Sequence, residues 1–541
     1  MSEFAENQKK TTRLECSLEF IKNKPIFSLT VIGLIGLGIR LYYFPFEIPI
    51  IYDGIDYFSY AIAVSQQGQL PNGWSLTNNG WAIFLSIFFS VFNSLNFMEL
   101  IYLQRFLSCI ISIFTIIPVY LLCNRFVGKQ FAMIGVVLFA FEPRIIINSL
   151  LGITEPSYIL LGTISLFLFL SKNFKVILIS FVLLGLFSMI RYEGFLIFIP
   201  FLIIFIFRFK KDKNVIQKTF LLIGIFFLTI FPIGFFMYEA TGSDSIIFPI
   251  FEGGIHYIST HIISGIPDSD DQIYGENVEE NRFSLFVTLG TMNLVKFLGW
   301  VLIPTFVLFV VIGFLLLFRN RDYKMVTILI FGVTMLIPAF YVYGRGVEET
   351  RYLYILFPIF SVMSSLTIKK ICEKIKKENL ILTLIIVGII LSSIIFLEDK
   401  KIDFEYEKES YLVAKEIDNI AGGINHWTQW KYIPISQIAN DWPTIPLPKE
   451  ISYNQSFEMK RIDAKDYSTI TDYLKNSTNK GLTHLVLDGK QQPDFLNYIF
   501  YNEKEFPYLI KEYDSIDNKH KNQVKIYKID YEIFYDSLAK Q

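Results

Sequence analysis

Leu380-Ile-Leu-Thr-Leu-Ile-Ile-Val-Gly-Ile-Ile-Leu-Ser-Ser-Ile-Ile-Phe-Leu397 carries no charged residue, and Glu398-Asp-Lys-Lys401 follows it directly. An uncharged apolar run of about 18 residues is long enough to cross the roughly 30 Å hydrocarbon core of a bilayer as a helix. The charge step at its end divides the chain. From Glu398 to Gln541 there are 24 acidic and 19 basic residues among 144, about 30% charged, against about 14% before Glu398. The whole chain of 541 residues is 52% hydrophobic and 18% charged, with a mean hydropathy of +0.44, which excludes a uniformly soluble globular protein. A net charge of −1 argues against nucleic-acid binding, whose affinity needs a basic surface. The expected fold is a polytopic α-helical membrane protein with a C-terminal extracytoplasmic α/β domain. Its parts are a cytoplasmic segment 1–24, a transmembrane domain 25–398 and an outer domain 399–541.

Working back from that run, eleven apolar stretches read as spans. They are Pro25 to Phe44, Leu100 to Cys123, Phe131 to Ile147, Glu155 to Leu170, Val176 to Ile190, Phe195 to Phe207, Thr219 to Met237, Leu294 to Phe318, Met325 to Tyr341, Tyr352 to Ile368 and Leu380 to Leu397. Trp81 to Phe97 is apolar but carries Ser86, Ser90, Asn93, Ser94 and Asn96, costly groups to face lipid, and reads as an interfacial helix. Lysine and arginine accumulate on the cytoplasmic side of membrane proteins. With the N-terminus inside, the inner segments hold 22 such residues and the outer loops of the membrane body only five: Arg144, Arg191, Arg282, Arg345 and Arg351. This asymmetry places the C-terminal domain outside. Cys16 and Cys372 then fall inside, Cys109 in a span and Cys123 at its inner edge, so no outer disulfide framework is expected. The first apolar run has no small-residue cleavage site after it and reads as a retained span.

The first outer loop, 45–99, has neither lysine nor arginine, yet contains Tyr52-Asp53-Gly54-Ile55-Asp56-Tyr57. A carboxylate at the membrane surface without a basic partner is suited to act as a general base toward a hydroxyl, or to bind a cation; the plainer role is a helix cap. Asn78-Asn79-Gly80-Trp81 follows, suited to an interfacial or sugar-contacting surface. Other outer edges concentrate ionisable groups: Glu142-Pro143-Arg144, Thr154-Glu155-Pro156, Arg191-Tyr192-Glu193-Gly194, and Arg345 through Glu348-Glu349-Thr350-Arg351-Tyr352. Charges at membrane depth are expensive and mark functional positions, and arginine suits bidentate binding of phosphate. The competing reading pairs Arg191 with Glu193 or Glu155, and Arg351 with Glu348, only to brace loops.

Taken in order, Asp53-x-x-Asp56-Tyr57, a helix opening with Asn-Gly-Trp, Thr154-Glu-Pro156, Arg191-Tyr-Glu-Gly194 and Arg351-Tyr-Leu-Tyr-x-Leu-Phe-Pro358 resemble the GT-C superfamily of membrane glycosyltransferases. The resemblance covers about residues 23–400. It is strongest to the dolichyl-phosphate-mannose protein mannosyltransferase and aminoarabinose transferase type. It implies a hexosyltransferase acting on a polyprenyl-phosphate sugar at the outer face, with inversion. It matches Asp53 to the family's catalytic aspartate, although Gly54 stands where glutamate usually follows and Asp56 supplies the second carboxylate; Asp53 is favoured. Arg351 matches the arginine near the donor phosphate, with Arg191 and Arg345 as helpers. Glu155, Glu142 and Glu193 are expected around the cavity as acceptor or metal contacts. The implied partners are the lipid donor, a glycan, lipid or protein acceptor, and the bilayer.

No phosphate-cradling Gly-x-x-x-x-Gly-Lys loop is present, so no nucleotide cofactor is expected. Asp268, Asp270, Asp271, Glu276, Glu279 and Glu280, in one loop with His256 and His261, form a candidate divalent-cation region or a solvated acidic loop. In the outer domain, Glu407 to Ile420 reads as a helix, and Thr483 to Asp488 and Gln523 to Tyr531 as strands. Trp427, Trp430, Trp442 and Tyr432 are candidates for sugar stacking or for the domain core. The Trp-Trp-Asp signature of oligosaccharyltransferases is missing, which favours transfer of a single sugar. Two other readings stand beside this one: a flippase or transporter of lipid-linked sugars, and a glycan polymerase or ligase centred on Glu239 to Asn293.

Overall fold

The computed structural model describes residues 24–92, 94, 96–244, 246–264, 282–319, 322–375, 378–420, 422–425, 431–441, 459–490 and 493–539. The chain forms two compact units. One comprises Met1–Phe44, Asp56–Val91 and Leu103–Glu398; the other comprises Pro45–Ile55, Phe92–Tyr102 and Asp399–Gln541.

The first unit is helical, and three of the helices that follow run partly into the second, to which residues 53–55, 97–102 and 399–417 belong. In order come α1 (Pro25–Tyr42), α2 (Asp53–Gln67), α3 (Gly80–Val91), α4 (Phe97–Phe114), α5 (Ile116–Asn124), α6 (Lys129–Ala140), α7 (Pro143–Ser149) and α8 (Glu155–Phe169). Then follow α9 (Phe174–Ile190), α10 (Phe198–Arg208), α11 (Val215–Thr241), α12 (Arg282–Leu302), α13 (Val307–Arg319), α14 (Tyr323–Gly344), α15 (Phe357–Lys374) and α16 (Glu378–Ile417). Helix starts follow local chemistry. Asn173 and Asp322 accept bonds from the backbone amides of Lys175 and Met325, and proline stands in the first turns of α7, α8 and α15.

Among the described residues seven helices are long and apolar enough to cross a membrane, or eight if α6 and α7, bent by 55°, are one span. The chain is thus a multi-pass membrane protein, but the expected count of eleven is not confirmed. Glu155–Phe169, Phe174–Ile190 and Val307–Arg319 are shorter apolar helices, as is Gly80–Val91, the stretch expected to lie at the interface. The single span expected over Leu294 to Phe318 is two helices, α12 and α13, with residues 303–306 between them; Pro304 lies in that break and lacks the amide a continuous helix needs. The stretch from Thr350 through α15 is central, with 78% of its apolar window buried against 22% for α1.

Two of these helices are entered through 3-10 turns. Tyr192–Ile197 leads into α10 and Thr350–Leu356 into α15. Each turn follows an extended residue, Arg191 (φ −145°) in one case and Glu349 (φ −122°) in the other. These two breaks bring an arginine and a tyrosine out of the helical repeat, and the candidate site is built there.

The second unit holds a five-stranded sheet in the order β2-β1-β3-β5-β4. Its strands are β1 (Gly422–Asn425), β2 (Met459–Ile462), β3 (Leu482–Leu487), β4 (Leu509–Asp514) and β5 (Lys525–Ile529). β2, β1 and β3 run parallel, whereas β5 is antiparallel to both β3 and β4. The central strand β3 is apolar almost throughout, as a strand covered on both faces must be. Helices α17 (Ile433–Asp441), α18 (Ile470–Ser477), α19 (Asp494–Tyr501) and α20 (Tyr531–Ala539) complete the unit. Leu474, Leu496, Phe500, Tyr527 and Phe534 form the heart of its core. The α/β expectation holds, with both expected strands in place. The helix expected over Glu407 to Ile420 is instead the end of the 40-residue α16, because the charge step at Glu398 changes polarity without breaking the helix. Tyr432 is buried and bonded to Glu407, so it belongs to the core. Trp427, Trp430 and Trp442 lie outside the described residues, as does the acidic loop from Asp268 to Glu280.

Candidate active site

Arg191 is the centre of the densest buried charge cluster in the membrane unit. Its fork grips Glu193 side-on, Nη2 to Oε1 at 2.8 Å and Nε to Oε2 at 3.4 Å, while Nη1 reaches Glu155 Oε1 at 2.7 Å. The 3-10 turn makes the first contact possible, since it folds Glu193 back within two residues of the guanidinium. Glu155 opens α8 and is 2% exposed. A carboxylate so far from water is tolerated because it is paired and hydrogen-bonded. The same Glu155 oxygen lies 4.0 Å from Arg351 Nη1, and Arg351 also pairs with the more exposed Glu349.

Aromatic faces complete the arrangement. Arg191 lies over the rings of Tyr158 (5.6 Å) and Tyr352 (5.4 Å), and Arg351 lies 5.7 Å from the same Tyr352 ring. Tyr158 is in turn stacked on Phe187 at 4.2 Å. One tyrosine face thus serves two cations, a geometry that favours planar guanidinium over the ammonium of lysine. Glu155, Arg191, Glu193 and Arg351 line a narrow cleft with Tyr158 and Tyr352. Arg351 also lines a wider groove, about 700 Å3, with Asn148, Trp300 and Thr350. Its side chain is 23% exposed against 9% for Arg191. Arg351 is therefore the accessible cation and Arg191 the anchored one.

The structure brings Glu155, Arg191, Glu193 and Arg351 together but leaves two expected members elsewhere. Arg345 caps the end of α14 and stacks on Tyr257 at 4.2 Å and on Tyr341. Glu142 caps α7 at the bend from α6, fully buried, bonded to Thr305 and 3.4 Å from Arg144. The bracing partner proposed for Arg351 also changes, because Glu348 pairs with Lys296.

Asp53 and Asp56 stand in the first turn of α2, both partly buried, three residues apart and hence on neighbouring positions of one helix face. Tyr57, the residue after Asp56, is buried and close enough to Arg191 to act on its charge. Among the described residues no group of three or more His, Cys, Asp or Glu is placed to hold a metal ion.

Sequence reasoning passed over Tyr158, Tyr352 and Arg40. The dipeptide Arg351-Tyr352 is a signal for Tyr352, whereas Tyr158 is placed only by its position three residues after Glu155. Arg40, an arginine inside the first apolar run, is fully buried and bonds Ser149 and Ser112 at 3.0 Å each, as well as the carbonyl oxygens of Gly36 and Ala140. It ties α1 to the helices around it.

No family model matches the sequence, and no curated protein matches it. Solved structures do match by fold. The oligosaccharyltransferase of Archaeoglobus fulgidus, solved with zinc and sulfate, aligns with a TM-score of 0.55 and 14% identity over 86% of this chain and 68% of its own. AglB from the same organism, solved with an inhibitory peptide and a dolichol-phosphate, aligns at 0.53 and 12% identity over 90% and 73%. ArnT from Cupriavidus metallidurans, bound to undecaprenyl phosphate, aligns at 0.48 and 8% over 93% and 97%. The chain shares the fold of the A. fulgidus oligosaccharyltransferase structures.

Proposed function

We propose that the protein is a membrane glycosyltransferase that moves a single sugar from a polyprenyl-phosphate donor to an acceptor hydroxyl on the outer face of the membrane. The observation that carries this reading is Arg351, an accessible guanidinium at the mouth of the buried Glu155–Arg191–Glu193 cluster, on a fold shared with an AglB solved with dolichol-phosphate. The donor phosphate takes the place of exposed Glu349 on Arg351 while its isoprenoid tail stays in lipid. A carboxylate of the α2 pair, Asp53 or Asp56, removes the proton from the acceptor hydroxyl. The resulting oxygen bonds to the anomeric carbon as the bond from that carbon to the phosphate oxygen breaks, with inversion. Arg351 stabilises the negative charge that develops on the departing lipid phosphate. Arg191, held by two carboxylates, fixes Glu155 and Tyr352 around it.

The test is transfer by the purified protein in lipid nanodiscs, supplied with radiolabelled polyprenyl-phosphate hexoses and a membrane extract as acceptor. Asp53→Asn or Asp56→Asn should abolish product without loss of donor binding, and Arg351→Ala should weaken donor use by about 10- to 100-fold, the worth of a charged hydrogen bond. Full activity in both aspartate variants would end the reading. A protein that binds donor, makes no product and moves labelled lipid between leaflets would be a flippase. The A. fulgidus likeness also motivates offering a lipid-linked oligosaccharide in parallel; preference for it over the monosaccharide donor would overturn single-sugar transfer.

A further inference from the structure

Asn78, Asn79, Gly80 and Trp81 are buried or half-buried inside the membrane unit, so they are not an open sugar-contacting surface. Each has a different setting. Asn78 has φ +62°, a left-handed conformation that asparagine and glycine adopt at little cost, and its Oδ1 accepts the Tyr192 amide at 3.1 Å. That amide belongs to the residue immediately after Arg191. Asn79 is 2% exposed, and its Nδ2 has no hydrogen-bond partner among the described residues. Gly80 lies directly against the Met189 carbonyl, two residues before Arg191; a Cβ there would stand 2.5 Å from that oxygen. Trp81 is fully buried and donates from Nε1 to the Gly152 carbonyl at 2.9 Å, three residues before Glu155.

One four-residue turn thus touches two of the segments that build the site, the lead-in to Glu155 and the extended break at Arg191. None of its contacts is to the charged groups themselves. We infer that Asn78–Trp81 is the positioning hub of the site and that the bond from the Tyr192 amide to Asn78 holds the Arg191–Glu193 fork in its binding geometry. Without that acceptor the extended break at Arg191 loses its tether to the Asn78 turn. This inference rests on the proposed phosphate role of the Arg351 cleft, and its test separates the two.

Asn78→Gly keeps the left-handed backbone and deletes the acceptor, whereas Asn78→Asp keeps both. The full-length protein in nanodiscs is to be compared as wild type, Asn78→Gly, Asn78→Asp and Arg351→Ala, by hydrogen exchange of the 189–197 segment and by titration with dolichyl phosphate. In Asn78→Gly, exchange at Tyr192 should accelerate at least about tenfold and dolichyl phosphate should bind about tenfold more weakly, the worth of one hydrogen bond. Asn78→Asp should restore both to within about twofold, since the acceptor is retained. Unchanged exchange in Asn78→Gly overturns the hub whatever the lipid does. Faster exchange with unchanged lipid affinity, when Arg351→Ala does weaken binding, overturns its link to the site. Unchanged affinity in Arg351→Ala overturns the phosphate reading instead, and the exchange data then decide the bracing role alone.

Discussion

Glu155 Oε1 is shared between two guanidinium groups, 2.7 Å from Arg191 and 4.0 Å from Arg351. In the proposed function the donor phosphate would compete with it for Arg351, so the carboxylate that organises the cleft would also set its affinity. Glu155→Gln removes this competing charge while keeping the shape. Dolichyl phosphate should then bind more tightly, by about three- to tenfold for a loss of roughly 1 kcal/mol of competing attraction. The same substitution should cost about 2 kcal/mol of stability, below the usual 3 to 5 for a broken buried pair because Glu193 stays on Arg191. Equilibrium binding and thermal unfolding on one preparation check both signs. Weaker binding together with lower stability would make Glu155 purely a brace.

At the scale of elements, close helix contact and strand charge each make a prediction. Gly313 of α13 sits against α15 so tightly that an added Cβ would fall 2.0 Å from the Met363 carbonyl, a backbone atom that can move only with its helix. Small residues drive such approaches in membranes, where no hydrophobic force separates helix from lipid. Gly313→Ala should destabilise the unit by about 1 to 3 kcal/mol, the usual cost of overpacking, whereas Gly299→Ala on α12, with open space around it, should be silent or mildly stabilising in the same thermal unfolding assay. In the sheet unit, Glu503 accepts from Tyr527 and pairs with Lys511 and Lys525, which hold its carboxyl down at about 2. Its folded value lies below the ordinary carboxylate range, so its stabilisation is present above that range and is lost as pH falls through about 2. Hydrogen exchange of β5 in the full chain, expressed relative to the intrinsic amide rate at each pH, should therefore rise between about pH 4.5 and 2 in wild type. Glu503→Gln should flatten that rise, and an unaltered profile would remove Glu503 from the acid response.

For the whole molecule the prediction concerns sidedness. From the loop lysines and arginines we expect residues 208–218 inside and the sheet unit outside. Cys109, Cys123 and Cys372 are buried, so with Cys16→Ser a single introduced cysteine reports its own side. A membrane-impermeant maleimide applied to intact cells should label Lys504→Cys and spare Lys211→Cys until the membrane is opened. The reverse pattern would turn the protein over and move the proposed chemistry to the cytoplasmic face. The break between α12 and α13 sharpens this test, because the expected single span Leu294 to Phe318 is two helices and the parity of later loops depends on whether both cross.

Apolar runs, the charge step after Leu397, the lack of basic residues near Asp53 and the strands at Thr483 and Gln523 were all legible one residue type at a time. Each depends on composition within a short window, where burial or lipid exposure leaves its mark directly. The repeated grouping of arginine and glutamate at helix ends likewise marked Glu155, Arg191, Glu193 and Arg351 before any fold was known. Their partners were not legible. Whether Arg351 faces Glu348 or Glu349, whether Glu142 joins Arg191 or caps its own helix, and whether Asn78 meets solvent or the Tyr192 amide are set by contacts between distant segments, 114 residues apart in the last case. Local sequence records what a residue is; which groups a 3-10 turn, a helix bend or a missing Cβ brings within 3 Å of it is decided only when the helices pack.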